Sequence, residues 1–183
     1  VLAQDVPTIL DADALTLLAR NTSLRQQVTK HPMTILTPHE GEFIRLYEAT
    51  FGSAPDASAG WGTALHELAE ELDSIILLKG RLTRVTAPGQ PLYSFNAGHS
   101  FAATPGSGDV LSGILGAVMA QLFASAPAAS PAGVIAEVLH AGAIHAHAAA
   151  IAAETPEGFA PCSASQIAAA IPRAIARLLN AER

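Results

Sequence analysis

The feature that most constrains this chain is a rhythm of short apolar runs, each ending abruptly in polar residues. Thr8-Ile9-Leu10 stops at Asp11, Met33-Thr34-Ile35-Leu36 stops at Thr37-Pro38-His39, and Ile75-Ile76-Leu77-Leu78 stops at Lys79-Gly80. Helix patterns lie between them. Leu15, Leu18 and Ala19 share one face, and Phe43, Ile44, Leu46 and Tyr47 mark a second helix. Leu65, Leu68, Ala69 and Leu72 recur at period 3.6 over Thr63 to Leu72. Ser53 to Gly60, rich in small residues, Pro and Asp, is a loop. Strand-length runs that are apolar on both faces and alternate with helices predict βαβ units. Their product is a parallel sheet covered by helices on both sides.

Beyond Gly80 the pattern changes. Thr83 to Thr86 and Leu92 to Phe95 flank Pro88-Gly89-Gln90, which predicts an antiparallel hairpin or a strand pair with a tight turn. After Gly108 the chain is mostly helical, over about Asp109 to Phe123, Val134 to Ala153 and Ala164 to Asn180, with Ala124 to Pro131 as a connector. The last helix opens on a capping-box pattern, Ser163-x-x-Gln166, and carries the apolar stripe Ile167, Ile171, Ile175 and Leu178. Pro172 inside it predicts a kink or a delayed regular start.

Composition narrows the function classes. A length of 183 residues supports one domain with a real core, and 50% apolar against 14% charged residues argues against a disordered tail. The net charge is −6 and no Lys/Arg-rich patch occurs, so no nucleic-acid partner is expected. An anionic ligand would have to be held by a few cations, a helix N-terminus and a divalent metal. The single cysteine, Cys162, permits no intramolecular disulfide and fits a reducing cytoplasm. The most apolar stretch, Val110 to Ala126, is interrupted by Gln121 and small residues, so no membrane span is expected.

In an open α/β sheet, ligands bind outside the carboxyl ends of the strands. Three segments belong there: Asp11-Ala12-Asp13, Thr37 to Glu42, and Lys79-Gly80. Each alone is better explained as structural, because every strand must end in something polar. The sharpest signal is Ala102-Ala103-Thr104-Pro105-Gly106-Ser107-Gly108-Asp109-Val110-Leu111, which leads straight into an apolar helix. Gly106 and Gly108 permit positive φ and close backbone approach. The helix start offers free N–H groups and the positive end of its dipole to a phosphate. An acidic residue beside an anion site is repulsive, so Asp109 needs a reason to be there. Either it takes a proton from an attacking hydroxyl, or it only caps the helix. No Gly-Lys-Ser/Thr follows the glycines, so the loop is not a P-loop, and its late position excludes a dinucleotide fingerprint. Gly113, Gly116 and Ala120 suit the following helix to close packing. His140, His145 and His147 lie on one predicted helix, where only the first and last share a face. They read as surface or core histidines, without a zinc spacing. Cys162 has no evident partner base and receives no role.

Five segments together resemble the NAD(P)H-hydrate dehydratase family of the ribokinase-like superfamily. They are LDADAL (Leu10 to Leu15), LTPHEGEF (Leu36 to Phe43), LLKG (Leu77 to Gly80), ATPGSGDVLSGILGAVMAQ (Ala103 to Gln121) and SASQIAAAIPRAI (Ser163 to Ile175), in the family's order and over nearly the whole chain. The resemblance implies a three-layer α/β/α sandwich with a mainly parallel sheet. It implies a reaction in which hydrated NADH or NADPH is dehydrated at the cost of ADP or ATP: the ring hydroxyl is phosphorylated and phosphate is then eliminated. Asp109 matches the family's catalytic acid residue, which contacts the hydrated cofactor, and His39 matches a second substrate contact. Lys79, Gly80, Arg81, Leu82 and Thr83 match its adenine-nucleotide segment. Gly106, Ser107 and Gly108 match the nucleotide-contacting loop, whose glycines would supply the anion hole. Mg2+ is implied as the ion bridging the phosphates. Its ligands are not assigned, with Glu42 only an outer candidate. Where the family often reads Gly-Gly-Thr-Gly-Asp, this chain has Pro105 for the first glycine, which removes an N–H donor, and Ser107 for the threonine, which keeps a hydroxyl.

The resemblance further implies that the family's leading strands, with a glycine-rich substrate segment, precede Val1. Residues 1–183 are then the C-terminal portion of a single domain, and this chain alone is expected to bind nucleotide poorly or to be inactive. It leans towards a homo-oligomer and leaves open an epimerase domain upstream. Two rivals stand beside it. One is a ribokinase-like kinase of a small alcohol such as a vitamin precursor, against which LTPHEGEF joined to LLKG argues. The other is a non-catalytic nucleotide-binding fragment.

Overall fold

A computed structural model describes residues 2–56, 58, 60–96, 100, 103–127 and 129–181. The predicted rhythm is present. Strand β1 (Thr8–Leu10), β2 (Thr34–Leu36) and β3 (Ile75–Leu78) pair in parallel, with Ile9 opposite Ile35 and Leu36 opposite Ile76. Strand β4 (Thr83–Thr86) then returns antiparallel to β3, with Leu77 opposite Val85. β5 (Tyr93–Phe95) completes the order β1-β2-β3-β4-β5. The turn after β4 is closed by a 3.0 Å bond from the Gln90 N–H to the Ala87 carbonyl, with Gly89 at φ +66° after Pro88. Pro at the second turn position and a positive-φ glycine at the third are what such a turn requires.

The helix expected after β1 is two helices, α1 (Asp13–Arg20) and α2 (Thr22–Val28). Asn21 ends the first in an extended conformation, and its side chain accepts from the Leu24 N–H to start the second. Asn competes well with a continuing helix for this reason. α3 (Glu40–Phe51) and α4 (Gly62–Leu72) follow as predicted.

The chain falls into two compact units. The first comprises residues 1–80, 84–94 and 130–135. Its core joins Leu10, Leu36, Ile76 and Leu78 of the sheet to Leu15, Leu18, Phe43, Leu46, Leu65, Leu68 and Leu72 of the helices. Ile35 and Leu77, on the opposite sheet face, are buried too, as continuously apolar parallel strands demand. Trp61 packs edge-on to Phe43 at 5.6 Å.

The second unit comprises residues 81–83, 95–129 and 136–183. It holds α5 (Ser107–Ser125), most of α6 (Pro131–Ala153), the short strand pair β6 (Glu154–Thr155) and β7 (Gly158–Phe159), and α7 (Ala164–Ala181). Cys162 lies buried among Ala148, Ala149, Ile151, Ile167, Ala170 and Ala174. The capping box of α7 is present: the Gln166 N–H donates to Ser163 Oγ at 3.3 Å, and the Ser163 N–H to Gln166 Oε1 at 2.8 Å. α7 runs continuously through Pro172. By length and composition α5 and α6 are apolar enough to cross a membrane, each with mean hydropathy 1.4, and half of the α6 span is buried.

Candidate active site

In the first unit, the polar strand ends meet as expected. The Thr37 N–H donates to the Leu10 carbonyl (3.1 Å) and the Lys79 N–H to the Pro38 carbonyl (2.8 Å). His39 and Lys79 form an isolated parallel bridge that carries the β2–β3 ladder past the strand ends. The Lys79 Nζ reaches across to Asp11 Oδ1 at 2.6 Å. Burial pushes the Asp11 carboxyl up. The hydrogen bond and charge of Lys79, with smaller contributions from the Ala12 N–H and the Thr37 hydroxyl, outweigh it and hold the group below its ordinary value. Ala12, immediately after Asp11, sits at φ +49° and ψ −115°, and its N–H donates to Asp11 Oδ1 at 2.9 Å. An L residue there is strained, and such strain persists only where the surroundings over-determine it. Asp11, Ala12, His39, Lys79 and Gly80 thus form one rigid cluster at the carboxyl edge. Arg81, Leu82 and Thr83 follow directly and lead into β4.

His39 is the N-cap of α3. Its Nδ1 accepts from the Glu42 N–H at 3.3 Å, while Glu42 Oε2 accepts from the His39 N–H at 2.9 Å. Nδ1 is therefore unprotonated and Nε2 carries the hydrogen. The imidazole stays more than half exposed, its Nε2 lies 3.5 Å from Glu42 Oε1, and the Glu42 side chain is largely buried. Glu42 orients His39 through this reciprocal pair. Gly41 leaves room for this ring: a Cβ there would stand 3.2 Å from His39 Cε1.

In the second unit, the loop Ala103 to Asp109 uses positive φ at Gly106 as the sequence suggested, whereas Gly108 lies inside the helix without it; Ala102 lies outside the described residues. Gly106 is the N-cap of α5 at φ +84°, and a Cβ there would stand 3.1 Å from that of Ala164. The Ser107 N–H is used, donating to the Thr104 carbonyl at 3.1 Å, and the Val110 N–H returns to the Gly106 carbonyl. The N–H groups of Gly108 and Asp109 have no partner among the described residues, as the first turn of a helix leaves them. Asp109 does not cap the helix; no side chain does. Its carboxylate is exposed, lies 3.9 Å from the Cβ position of Gly106, and has no bonding partner among the described residues. One turn of chain therefore presents two N–H donors and a carboxylate that have no partner among the described residues. That combination can hold an anion and take a proton beside it.

His145 is a partly buried histidine with a specific partner. Its Nε2 lies 3.0 Å from both the hydroxyl and the carbonyl oxygen of Ser107. Nothing in the sequence links two residues 38 positions apart; only the packing of α6 against the start of α5 does. His140 lies instead beside Glu137 on the surface, 3.4 Å away. It borders an apolar groove of about 880 Å3 between α5, α6 and α7, lined by Val110, Ile114, Val118, Ile171 and Leu178. That groove is too apolar to receive a charged nucleotide. Among the described residues no three His, Cys, Asp or Glu side chains gather in a metal cage. Magnesium needs none when it arrives on nucleotide phosphates with its own waters.

The sequence pattern of the family described as NAD(P)H-hydrate dehydratase matches residues 1–172. The bifunctional NAD(P)H-hydrate repair enzyme Nnr of Corynebacterium glutamicum is 41% identical over 191 aligned residues, covering 97% of this chain and 33% of that protein. Among solved structures, the ADP/ATP-dependent NAD(P)H-hydrate dehydratase from Bacillus subtilis, co-crystallised with ATP and Mg2+, superposes with a TM-score of 0.71. Its identity is 27%, over 97% of this chain and 57% of that one. A ribokinase-like superfamily protein from Enterococcus faecalis shares the fold, with TM-score 0.65 at 23% identity. The chain spans about a third of the length of the curated relatives it matches.

Proposed function

This chain belongs to the NAD(P)H-hydrate dehydratase family, and from that premise we propose that it contributes the catalytic turn of an enzyme that dehydrates NADH or NADPH hydrate with ADP or ATP. The observation that carries the proposal is the α5 start, where the N–H groups of Gly108 and Asp109 and the Asp109 carboxylate, all without a partner among the described residues, share one turn. In this reading the terminal phosphoryl group of the nucleotide rests on the Gly106–Ser107–Gly108 backbone. Asp109 takes the proton from the ring hydroxyl as its oxygen attacks phosphorus. The bond to the nucleotide breaks, giving ADP from ATP or AMP from ADP. The phosphorylated ring then loses inorganic phosphate as the ring nitrogen supplies electrons. Hydroxide is a poor leaving group and phosphate a good one, which is why a hydration is reversed at the cost of a nucleotide.

His39, positioned by Glu42 and still more than half exposed, is the proposed second substrate contact. Lys79, fixed by Asp11, begins the proposed nucleotide segment that runs through Gly80, Arg81, Leu82 and Thr83. Mg2+ would enter with the nucleotide as the counter-ion of its phosphates. Residues 1–183 form the C-terminal portion of one dehydratase domain in this reading, supported by the continuous family match. A cytoplasmic location accords with the buried Cys162. A homo-oligomer accords with the exposed Ile175 and Leu179 on α7. An epimerase domain on the same polypeptide accords with the bifunctional relatives.

The test is product analysis by phosphorus NMR, with hydrated NADH, Mg2+ and either nucleotide, on the protein at its natural length. Inorganic phosphate appearing together with NADH is expected. An accumulating phosphorylated small molecule would assign a kinase instead.

A further inference from the structure

We propose that His145 is a positioning residue, which locks the anion-binding turn by donating its Nε2 hydrogen to Ser107 and leaves the Ser107 hydroxyl hydrogen for the bound phosphate. The inference deepens the dehydratase reading and rests on the α5 start being its phosphate site. The Nε2 of His145 stands 3.0 Å from the Ser107 carbonyl oxygen and 3.0 Å from the Ser107 hydroxyl. A carbonyl oxygen cannot donate. A bare nitrogen at that distance would set two lone pairs against each other, so Nε2 carries the hydrogen and shares it between the two oxygens. The hydroxyl then accepts from the imidazole and cannot donate to it. Its own hydrogen then turns away from the ring and is left for a ligand at the α5 start, where the N–H groups of Gly108 and Asp109 have no partner among the described residues.

Ser107 is buried, so its polar atoms have little water to fall back on. It is also the first residue of α5, two before Asp109. Holding its carbonyl and hydroxyl from α6 fixes the helix start in the second unit at the point where donors and carboxylate must be aimed. The Cβ of Ala164 closes on the turn from α7, with Gly106 the residue that leaves it room. An anion hole works only if its donors are in place before charge develops, which makes such an anchor useful to the reaction as well as to the fold.

Two measurements decide it on the full chain. Nitrogen–proton correlation spectra of protein labelled in its histidines, with the His145 signal assigned by its loss in His145→Gln, read the tautomer directly. A protonated Nε2 with a slowly exchanging hydrogen is expected, and an unprotonated Nε2 overturns the proposal. Mg-ADP titration of wild type, His145→Ala and His145→Gln reads the consequence. Loss of the anchor should weaken binding about tenfold in the alanine variant, the scale of one lost buried hydrogen bond. Gln, whose amide nitrogen reaches the same place, should restore binding to within about threefold of wild type. Equal affinity of wild type and His145→Ala overturns it. Wild type that binds no nucleotide removes the phosphate-site reading, and the tautomer spectrum then still decides whether His145 anchors the turn.

Discussion

Replacing Lys79 by Met should cost the fold more than deleting the whole ion pair. Lys79 Nζ and Asp11 Oδ1 are 2.6 Å apart, and their side chains are only 22% and 15% exposed. At that distance two unit charges attract by about 6 kcal/mol at an effective dielectric of ~20. Most of that is offset by the lost hydration of both groups, so the pair as a whole contributes on the order of 1 kcal/mol. Lys79→Met removes the attraction and keeps the desolvation of the Asp11 carboxylate, with a cost of about 2–3 kcal/mol at neutral pH. Asp11→Asn with Lys79→Met removes the stranded charge and should recover all but about 1 kcal/mol. Urea unfolding at pH 7 reads both as midpoint shifts, about 1 M for the single variant.

The sign with pH follows from Asp11. Its folded value lies below 3.8, so the stabilisation is fully present above that unfolded value and is lost as pH falls through the lower folded one. In Lys79→Met the uncompensated carboxyl protonates more readily, so the gap between wild type and variant should narrow on acidification below about pH 4. A Lys79→Met protein as stable as wild type at pH 7 would refute the reasoning. So would a double variant no better than the single one, or a gap that widens in acid.

Three further substitutions probe the turn and its supports. Gly106→Ala places a Cβ at φ +84° and 3.1 Å from that of Ala164. A thermal or urea loss of about 1–2 kcal/mol is expected, with weaker nucleotide binding by titration. Gly142→Ala puts a Cβ 2.6 Å from the Phe95 ring edge. It should destabilise by about 1–3 kcal/mol by overpacking, read from urea midpoints, and a neutral result would mean that the ring turns aside freely. Ser163→Ala breaks one arm of the α7 capping box and should cost about 1 kcal/mol, read from the same midpoints.

Much of this was legible in the residues because local rules and the fold agree. The runs at Thr8, Thr34 and Ile75 announce parallel strands by their length and uniform apolarity, and their polar ends converge because parallel strands all finish on one edge. Gly106 and the Ser163–Gln166 box carry their geometry in their own chemistry. What stayed hidden is long-range. The break at Asn21 depends on a side chain winning over a continuing helix, which composition alone does not decide. The Asp11–Lys79 contact spans 68 positions, and the His145–Ser107 contact 38. No periodicity encodes either; the helical spacing turns His145 away from the face that His140 and His147 share, but nothing in the sequence names Ser107 as its partner. The reciprocal bond between Glu42 and His39 was likewise hidden, because it exists only once α3 has formed.

The central claim is that the Asp109 carboxylate drives a nucleotide-dependent dehydration. The most direct measurement is the return of reduced-nicotinamide absorbance from hydrated NADH with Mg2+ and ADP or ATP, comparing the natural-length protein with its Asp109→Asn variant. Nucleotide-dependent recovery in the wild type should fall by at least about 100-fold in the variant, the lower end for a lost general base, while the variant still binds nucleotide. Recovery undiminished by Asp109→Asn, or none from folded wild type that binds nucleotide, would contradict the account.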